Sequence, residues 1–298
     1  IYIGGGIMKV LVKMRILVFI LIISGSAFLI FGCAAKKSEP WGNEKTGFIL
    51  TYRPEAGSTL KYDFTINTEM LMEVMGNEME TTSDVKARIF SKVKDVAEDG
   101  AITFGMGFDS ISVTASSPQG EMSPDMSKYI GKELEVKISN KGKFLEMKNQ
   151  ELFPPVEGSY QSVSSYFRNF FFDLSEKSVK INDSWTSTDS YTEKVGENET
   201  NVNTSSKYTV VEKLMKDNTE CLKIAFEQTS EIKGKGTQMG MDFTMDGTSK
   251  SKGEILFAYR KGYYIEVSST GTLEATVSMT QMEIPMSGTI KTSIKLIK

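Results

Sequence analysis

Polar and apolar residues alternate along most of this chain. Leu60, Tyr62, Phe64 and Ile66 are interleaved with Lys61, Asp63, Thr65 and Asn67. Ile102, Phe104, Met106 and Phe108 repeat the period, as do Leu222, Ile224 and Phe226. A period of two, rich in aromatic and β-branched residues, predicts half-buried antiparallel strands. Turn chemistry punctuates them at Gly76-Asn77, Glu98-Asp99-Gly100, Asn140-Lys141-Gly142, Asp217-Asn218 and Lys261-Gly262. The short spacing of these signals predicts hairpins and a meander, not helical crossovers.

One stretch breaks the period. Tyr160, Val163, Tyr166, Phe167, Phe170, Phe171 and Leu174 fall at helical spacing, and Pro154-Pro155 prevents an earlier start. The spacing predicts one amphipathic helix whose aromatic face plugs a sheet core. Around it, the sequence reads as two copies of one unit. At an offset of 120, Gly76 meets Gly196, Lys141-Gly142 meets Lys261-Gly262, and Ile102, Phe104 and Phe144 meet Leu222, Ile224 and Tyr264. A period this long describes a pseudo-dimer and not a solenoid. The expected fold is mainly β: an antiparallel curved sheet or open barrel made of two related meanders, with one central amphipathic helix.

The start of the chain reads differently. Lys9, Lys13 and Arg15 lead into an apolar run from Ile16 to Phe31, followed by Gly32-Cys33. The run is shorter than the ~20 residues of a spanning helix. Its order of basic, apolar and small residues is that of a secretory signal. The competing reading is a single-pass anchor. Met8 and Met14 are both candidate starts, so residues 1–7 are expected to lie outside the translated chain. The expected division is residues 1–32 as signal peptide, 33–46 as lipidated tether, 47–150 as first repeat, 151–176 as linker with helix, and 177–298 as second repeat. On this reading Cys33 is the lipid-attachment residue, and two acyl chains on it give stable anchoring.

Composition then narrows the chemistry. With the three leader bases set aside, 32 basic residues face 38 acidic ones, a net charge of −6. Nucleic-acid binding normally needs the opposite sign or a basic stripe. The chain has no histidine. That removes Ser-His-Asp and Cys-His catalysis and the usual zinc sites. With Cys33 acylated, Cys221 has no disulfide partner; a small packed residue is the expected role, with a reactive thiol as the alternative. Ser91-Lys92-Val93-Lys94 and Ser249-Lys250-Ser251-Lys252 match S-x-x-K, but in strand-like context and without companion motifs. The chain is expected not to be an enzyme and to carry no cofactor.

A cysteine after a lipobox-like run, a polar tether, the entry strand Gly57-Ser58-Thr59-Leu60-Lys61-Tyr62 and the strand Lys180-Ile181-Asn182-Asp183-Ser184-Trp185 together resemble a family of uncharacterised bacterial lipoproteins, a domain of unknown function. The resemblance implies architecture and an envelope location, and assigns no site residues. At the level of fold alone, the expected curved sheet also resembles periplasmic lipid-carrier half-barrels, which does not license function.

Methionine is the compositional outlier, at 17 residues. Met70, Met72, Met75 and Met79 surround Gly76; Met239, Met241 and Met245 surround Gly240; Met279, Met282 and Met286 precede Gly288. Each group falls where a long hairpin should turn. Three readings compete: core filling, an adaptable apolar surface, and a thioether site for Cu(I) or Ag(I). The candidate ligand-binding residues are Met70, Met72, Met239, Met241, Met279 and Met282, with no metal site assigned. The leading expectation is a non-enzymatic, lipid-anchored envelope protein that binds an apolar ligand or a partner's hydrophobic segment. The alternatives are an envelope scaffold and Met-based Cu(I)/Ag(I) binding. The expected partners are the membrane, through the N-terminal lipid, and a lipid or protein. In a cell with two membranes the expected position is the periplasmic face of the outer one.

Overall fold

A computed structural model describes residues 40–156, 162–238, 240–279 and 282–297. The signal segment, Cys33 and Met239 lie outside the described residues.

The protein is mainly β, a large antiparallel sheet with almost no helix. After a small hairpin, β1 (Gly42–Asn43) and β2 (Gly47–Phe48), come β3 (Thr59–Val74), β4 (Asn77–Val96), β5 (Ile102–Ser117), the short β6 (Gly120–Met122), β7 (Leu134–Ile138) and β8 (Phe144–Lys148). The second half holds β9 (Ser184–Val195), β10 (Asn198–Lys216), β11 (Thr219–Gln238), β12 (Met241–Ala258), β13 (Tyr263–Met279) and β14 (Met282–Ile297). From β3 onward the strands form one 12-stranded sheet in the order β8-β7-β5-β4-β3-β14-β13-β12-β11-β10-β9, with β6 paired to β5. Several strands reach 16 to 20 residues, far beyond the usual five or six.

The expected turns form. Met75 and Gly76 both take positive φ between β3 and β4, and Asp217 and Asn218 do so between β10 and β11. Two positive φ values in a two-residue loop match the twist of the flanking strands. Residues 41–46 are paired and not a free tether. Gly42 opposes Phe48, Asn43 Oδ1 accepts hydrogen bonds from the Lys45 and Thr46 amides, and Trp41 lies under the Arg53 guanidinium at 4.0 Å.

The central helix shrinks to a single turn, α1 (Ser165–Arg168). Residues 157–161 lie outside the described set. After Asn169 the chain is extended, and three consecutive phenylalanines part company. Phe170 packs on Tyr62 and Tyr264, Phe171 on Tyr52 and Phe104, and Phe172 on Phe226. These partners sit on β3, β5, β11, β13 and the loop before β3. A helix would present consecutive residues about 100° apart to one wall. Here the walls surround the segment, so near-helical spacing arises without a helix.

The sheet is rolled but open. Among the described residues no ladder joins β8 to β9. Yet the Arg168 guanidinium lies 4.0 Å from the ring of Phe144 on β8 and 4.1 Å from that of Tyr191 on β9. Both ends of the strand order therefore approach one cation. Within the roll, Phe48, Phe108, Phe153, Phe167, Phe170 and Phe257 are all buried. Burying a Phe side chain is worth about 1.5–3 kcal/mol.

Candidate functional site

Every long strand has two unlike halves. The core half holds Tyr62 and Phe64 of β3, Val85 to Val93 of β4, Ile102 to Ile111 of β5, Cys221 to Phe226 of β11, and Tyr264 to Val267 of β13. There the linker fills the roll, and the space left among Tyr52, Tyr62, Phe104, Phe171 and Tyr264 is about 10 Å³, no more than one water's worth. In the other half, toward the tips of β3–β4, β11–β12 and β13–β14, the same inward alternation continues, and no segment among the described residues covers it. Met70, Met72, Val74, Met79, Val113, Val202, Ile232, Leu273, Ile284, Met286 and Ile290 are each half-buried.

Register aligns these positions across the sheet. Val202 opposes Ile232, Ile232 opposes Gly247, Gly247 opposes Ala275, Ala275 opposes Met286, Met286 opposes Met72, and Met72 opposes Met79. One row thus runs over seven strands from β10 to β4. Its middle is thin, Gly247 and Ala275, and its shoulders are branched or long. The next row repeats the theme with Leu273, Gly288 and Met70. Met70 lies across Gly288, since a methyl group there would collide with its Sδ; Met245 similarly packs over Gly234. The inner surface is an apolar trough with a floor of small residues along β13, β14, β3 and β4, and on β10–β12 it also carries Thr204, Ser206, Gln228, Ser230 and Ser251, hydrogen-bonded to one another.

The opposite face is largely polar in this half, with Leu71 of β3 exposed among the charges. β3 turns Asn67, Glu69 and Glu73 outward, β11 turns Glu227, Glu231, Lys233 and Lys235, and β12 turns Asp242, Asp246, Lys250 and Lys252. A strand crossing a bilayer as part of a barrel shows the reverse, apolar outward and polar inward. A shallow depression of about 630 Å³ over β11–β14 is walled largely by Glu231, Lys233, Asp246, Thr248, Glu274 and Thr276.

The sequence-predicted residues within the described set fall into two separate pairs and one lone methionine. Met70 and Met72 lie on β3, beside β14. Met279 and Met282 oppose one another at the β13–β14 tip. Met241 starts β12, on the face shared by Phe243 and Met245, and is 49 % exposed; Phe243 opposes Met279. Met79 and Met286, which complete the row with Met72, were visible only as members of clusters, because cross-strand register is a long-range property.

A second cluster had no signal in the sequence. The inward positions of β9 hold the linker. Trp185 Nε1 donates to the Asp173 carbonyl at 2.9 Å, and Ser187 Oγ donates to the Asp173 carboxylate. Arg168 pairs with Asp189 at 2.8 Å, and Glu193 accepts the Ser162 amide at 2.8 Å. Burial pushes the Asp173 and Glu193 carboxyls up from their ordinary range; the Ser187 bond to the first and the Ser162 amide at the second oppose it. At the opposite edge, Lys141 donates to the carbonyls of Leu50 and Ser175 at 2.7 and 2.9 Å, and burial lowers its pKa. These contacts position the linker.

The remaining chemical candidates separate on geometry. In S-x-x-K the serine and lysine are three apart, which on a strand means opposite faces. Ser91 is buried, whereas Lys94 points out to Glu133 at 2.5 Å. Ser249 and Lys252 divide the same way on β12. Cys221 is fully buried, and burial raises its thiol to about 11, so little nucleophilic thiolate forms at neutral pH. Among the described residues no group of three or more His, Cys, Asp or Glu is placed to hold a metal ion.

No family model matches the chain, and no curated protein matches it. Among solved structures it is similar to the Pseudomonas aeruginosa protein OccK5 (OpdH), at 7 % identity and a TM-score of 0.28 over 83 % of this chain and 100 % of that one. It is also similar to the COG4313 outer membrane channel from Pseudomonas putida F1, at 7 % identity and a TM-score of 0.25 over 83 % and 97 %. A third is OmpT of Vibrio cholerae with loop L8 deleted, an outer membrane protein, at 8 % identity and a TM-score of 0.20 over 82 % and 100 %.

Proposed function

We propose that this chain is a non-enzymatic binding protein of the bacterial envelope that holds a lipid acyl chain in its apolar trough. The observation that carries the reading is the contrast between the two halves of the same strands. Where the linker reaches, the inner face is packed shut. Beyond it, the inner face keeps a row of Val, Ile and Met with Leu273 beside it, over a floor of Gly247, Gly271, Ala275 and Gly288, bordered on β10–β12 by hydrogen-bonded Ser, Thr and Gln, and the outer face is largely charged or polar. Methionine suits an occupant of variable shape, because its unbranched thioether repacks readily. A straight hydrocarbon matches the apolar row from Val202 to Met79, which runs beside the hydrogen-bonded Thr204, Ser206, Gln228, Ser230 and Ser251 of β10–β12, and each methylene it buries is worth about 0.8 kcal/mol. The N-terminal leader and Cys33, read as a lipid anchor, put the body beside a source of acyl chains.

The finer architecture belongs to the same proposal: the two halves are copies of one meander, with β14 added. Their irregularities support it. Between β7 and β8 the ladder passes from Lys137–Glu146 to Ile138–Phe144 and skips Leu145. Between β12 and β13 it passes from Leu256–Glu266 to Phe257–Tyr264 and skips Ile265. Bulges are reproducible features of a fold, and these two stand at equivalent places.

The test is native mass spectrometry of the full chain purified from a bacterial host, with displacement of a fluorescent fatty acid. The expected result is co-purified lipid mass and saturable binding, weakened at least tenfold by Ile232→Asp with Leu273→Asp. Lipid-free protein that binds no fatty acid would refute the proposal.

A further inference from the structure

The trough's rim carries a feature that hydrocarbon binding does not require. Met286, Met72 and Met79 stand directly opposite one another on β14, β3 and β4. Directly opposed residues have Cβ atoms about 5 Å apart, and methionine has three rotatable bonds with which to bring its sulfur inward. Met70, one row below Met72, already sends its Sδ over β14, onto the backbone at Gly288 and two residues from Met286. Four thioethers are therefore gathered over two neighbouring rows, on a face that is half-exposed. Adaptability accounts for methionine in the trough but does not call for four of them at neighbouring and directly opposed positions, where leucine or isoleucine would hold the wall's shape better.

A second observation points the same way. Glu73 faces Glu78 directly across the β3–β4 hairpin, and Glu69 and Glu80 flank them. Between Tyr62 and Val85 there is no lysine or arginine. Like charges placed opposite each other on a sheet destabilise it. An uncompensated acidic tip also raises the local concentration of cations. The carboxylates lie on the outer face and the thioethers on the inner, so the acids steer and the sulfurs bind.

We propose that Met70, Met72, Met79 and Met286 form a binding site for a soft monovalent cation, Cu(I) or Ag(I). Thioether sulfur selects soft ions, whereas carboxylate and water suit hard ones. With no histidine in the chain and no His, Cys, Asp or Glu cluster among the described residues, Zn(II) and Cu(II) have no comparable site. Binding involves no electron transfer; the ion exchanges solvent ligands for sulfur.

Ag(I), which is redox-inert, is the probe. Silver nitrate is titrated in chloride-free buffer into the full chain carrying Cys33→Ala and Cys221→Ala, so that every remaining sulfur is a thioether. The expected result is one saturable site, weakened at least tenfold by the triple replacement Met72→Leu, Met79→Leu and Met286→Leu. The same leucine variant should keep the urea-unfolding midpoint of the unaltered chain, so that lost silver reports lost sulfur; a lowered midpoint together with lost silver would show only that the rim had collapsed, and would overturn the assignment to sulfur. Cu(I) held by a reductant should compete with Ag(I), and Zn(II) should not. Silver affinity unchanged in the leucine variant, or equal affinity for Zn(II), overturns the proposal. If Cys221→Ala prevents folding, the titration is repeated with Cys221 retained, and the leucine replacements should then remove one equivalent of silver and leave the thiol's own.

Discussion

Arg168 gives the sharpest test of how the sheet is held in its roll. Its guanidinium lies 4.0 Å from the Phe144 ring and 4.1 Å from the Tyr191 ring, and it bonds Asp189 at 2.8 Å. Replacement by methionine keeps most of the volume and removes the charge. Two partly desolvated cation–π contacts are worth about 1 kcal/mol each. The ion pair adds roughly 0.5–1 kcal/mol, because Asp189 is 46 % exposed. Against this, the buried Arg168 Nε has no hydrogen-bond partner among the described residues, and removing an unsatisfied buried donor returns about 1 kcal/mol. The net expectation is a loss of about 1–2 kcal/mol for Arg168→Met. Lysine should recover little of it, since an ammonium lacks the planar face that stacks between two rings. Urea unfolding followed by tryptophan fluorescence reads the effect, and Trp185, one of the chain's two tryptophans, sits on β9 against the same linker. The decisive measurement is the double-mutant cycle of Arg168→Met with Tyr191→Leu, expected to show a coupling of about 0.5–1 kcal/mol. A coupling indistinguishable from zero would mean that the ring does not hold the cation, and the account of the seam would fail.

Two further outcomes follow from the same packing. Phe170→Ala removes a ring that is 1 % exposed and touches Tyr62, Phe171 and Tyr264, so it should cost about 3–5 kcal/mol in urea unfolding; a cost under about 1 kcal/mol would mean the linker is not a core element. Asp173 and Glu193 have folded-state pKa values raised by burial, so the native state keeps their protons to higher pH than the unfolded chain does. Stability should therefore fall as pH rises from the ordinary carboxylate range, about pH 4, through the raised values. Asp173→Asn with Glu193→Gln should flatten that fall, and an unchanged pH profile of the urea midpoint would contradict it.

What the sequence revealed depends on how local each determinant is. Alternation at Tyr62 to Ile66 and Ile102 to Phe108, and the turn at Gly76, are set by neighbours two to four residues away and were readable, although the turn falls on Met75-Gly76, one residue before the expected Gly76-Asn77. The aromatic segment was misread because spacing records which residues are buried, not what surrounds them. Phe170, Phe171 and Phe172 are buried against different strands, which only the rolled sheet brings together. The pairing of β3 with β14 joins the first and last long strands. No local signal specifies it, and without it the methionines of the β3–β4 tip and those of β14 would read as unrelated clusters. The polar contacts of β9 were equally hidden: Ser187, Asp189 and Glu193 look like a solvated face until the linker is laid against them.

The difference between the strand halves is hard to explain by packing alone. A sheet that only needed a core would end near Val85 or Ile290, where the linker stops filling it. A sheet that extended to cross a bilayer would turn its apolar positions outward, yet Glu69, Glu231, Lys233 and Asp246 are outside. A single layer that extended for its own sake would place large residues at its central inner positions, because cross-strand contact is its main source of stability. Instead Gly247, Gly271, Ala275 and Gly288 stand there, each giving up apolar contact area at about 25 cal/mol per Å². Glycine also weakens strands through its backbone entropy. Two of the four are covered by neighbours: Met70 lies over Gly288, and Ser251 sits against Gly271. Gly247 and Ala275 meet chiefly each other, and leave the row from Ile232 to Met286 low in its middle. Small residues in the centre of an apolar, inward-facing row are stabilised once a flexible hydrocarbon lies along them. That dependence on an occupant ties the sequence pattern to the proposed role.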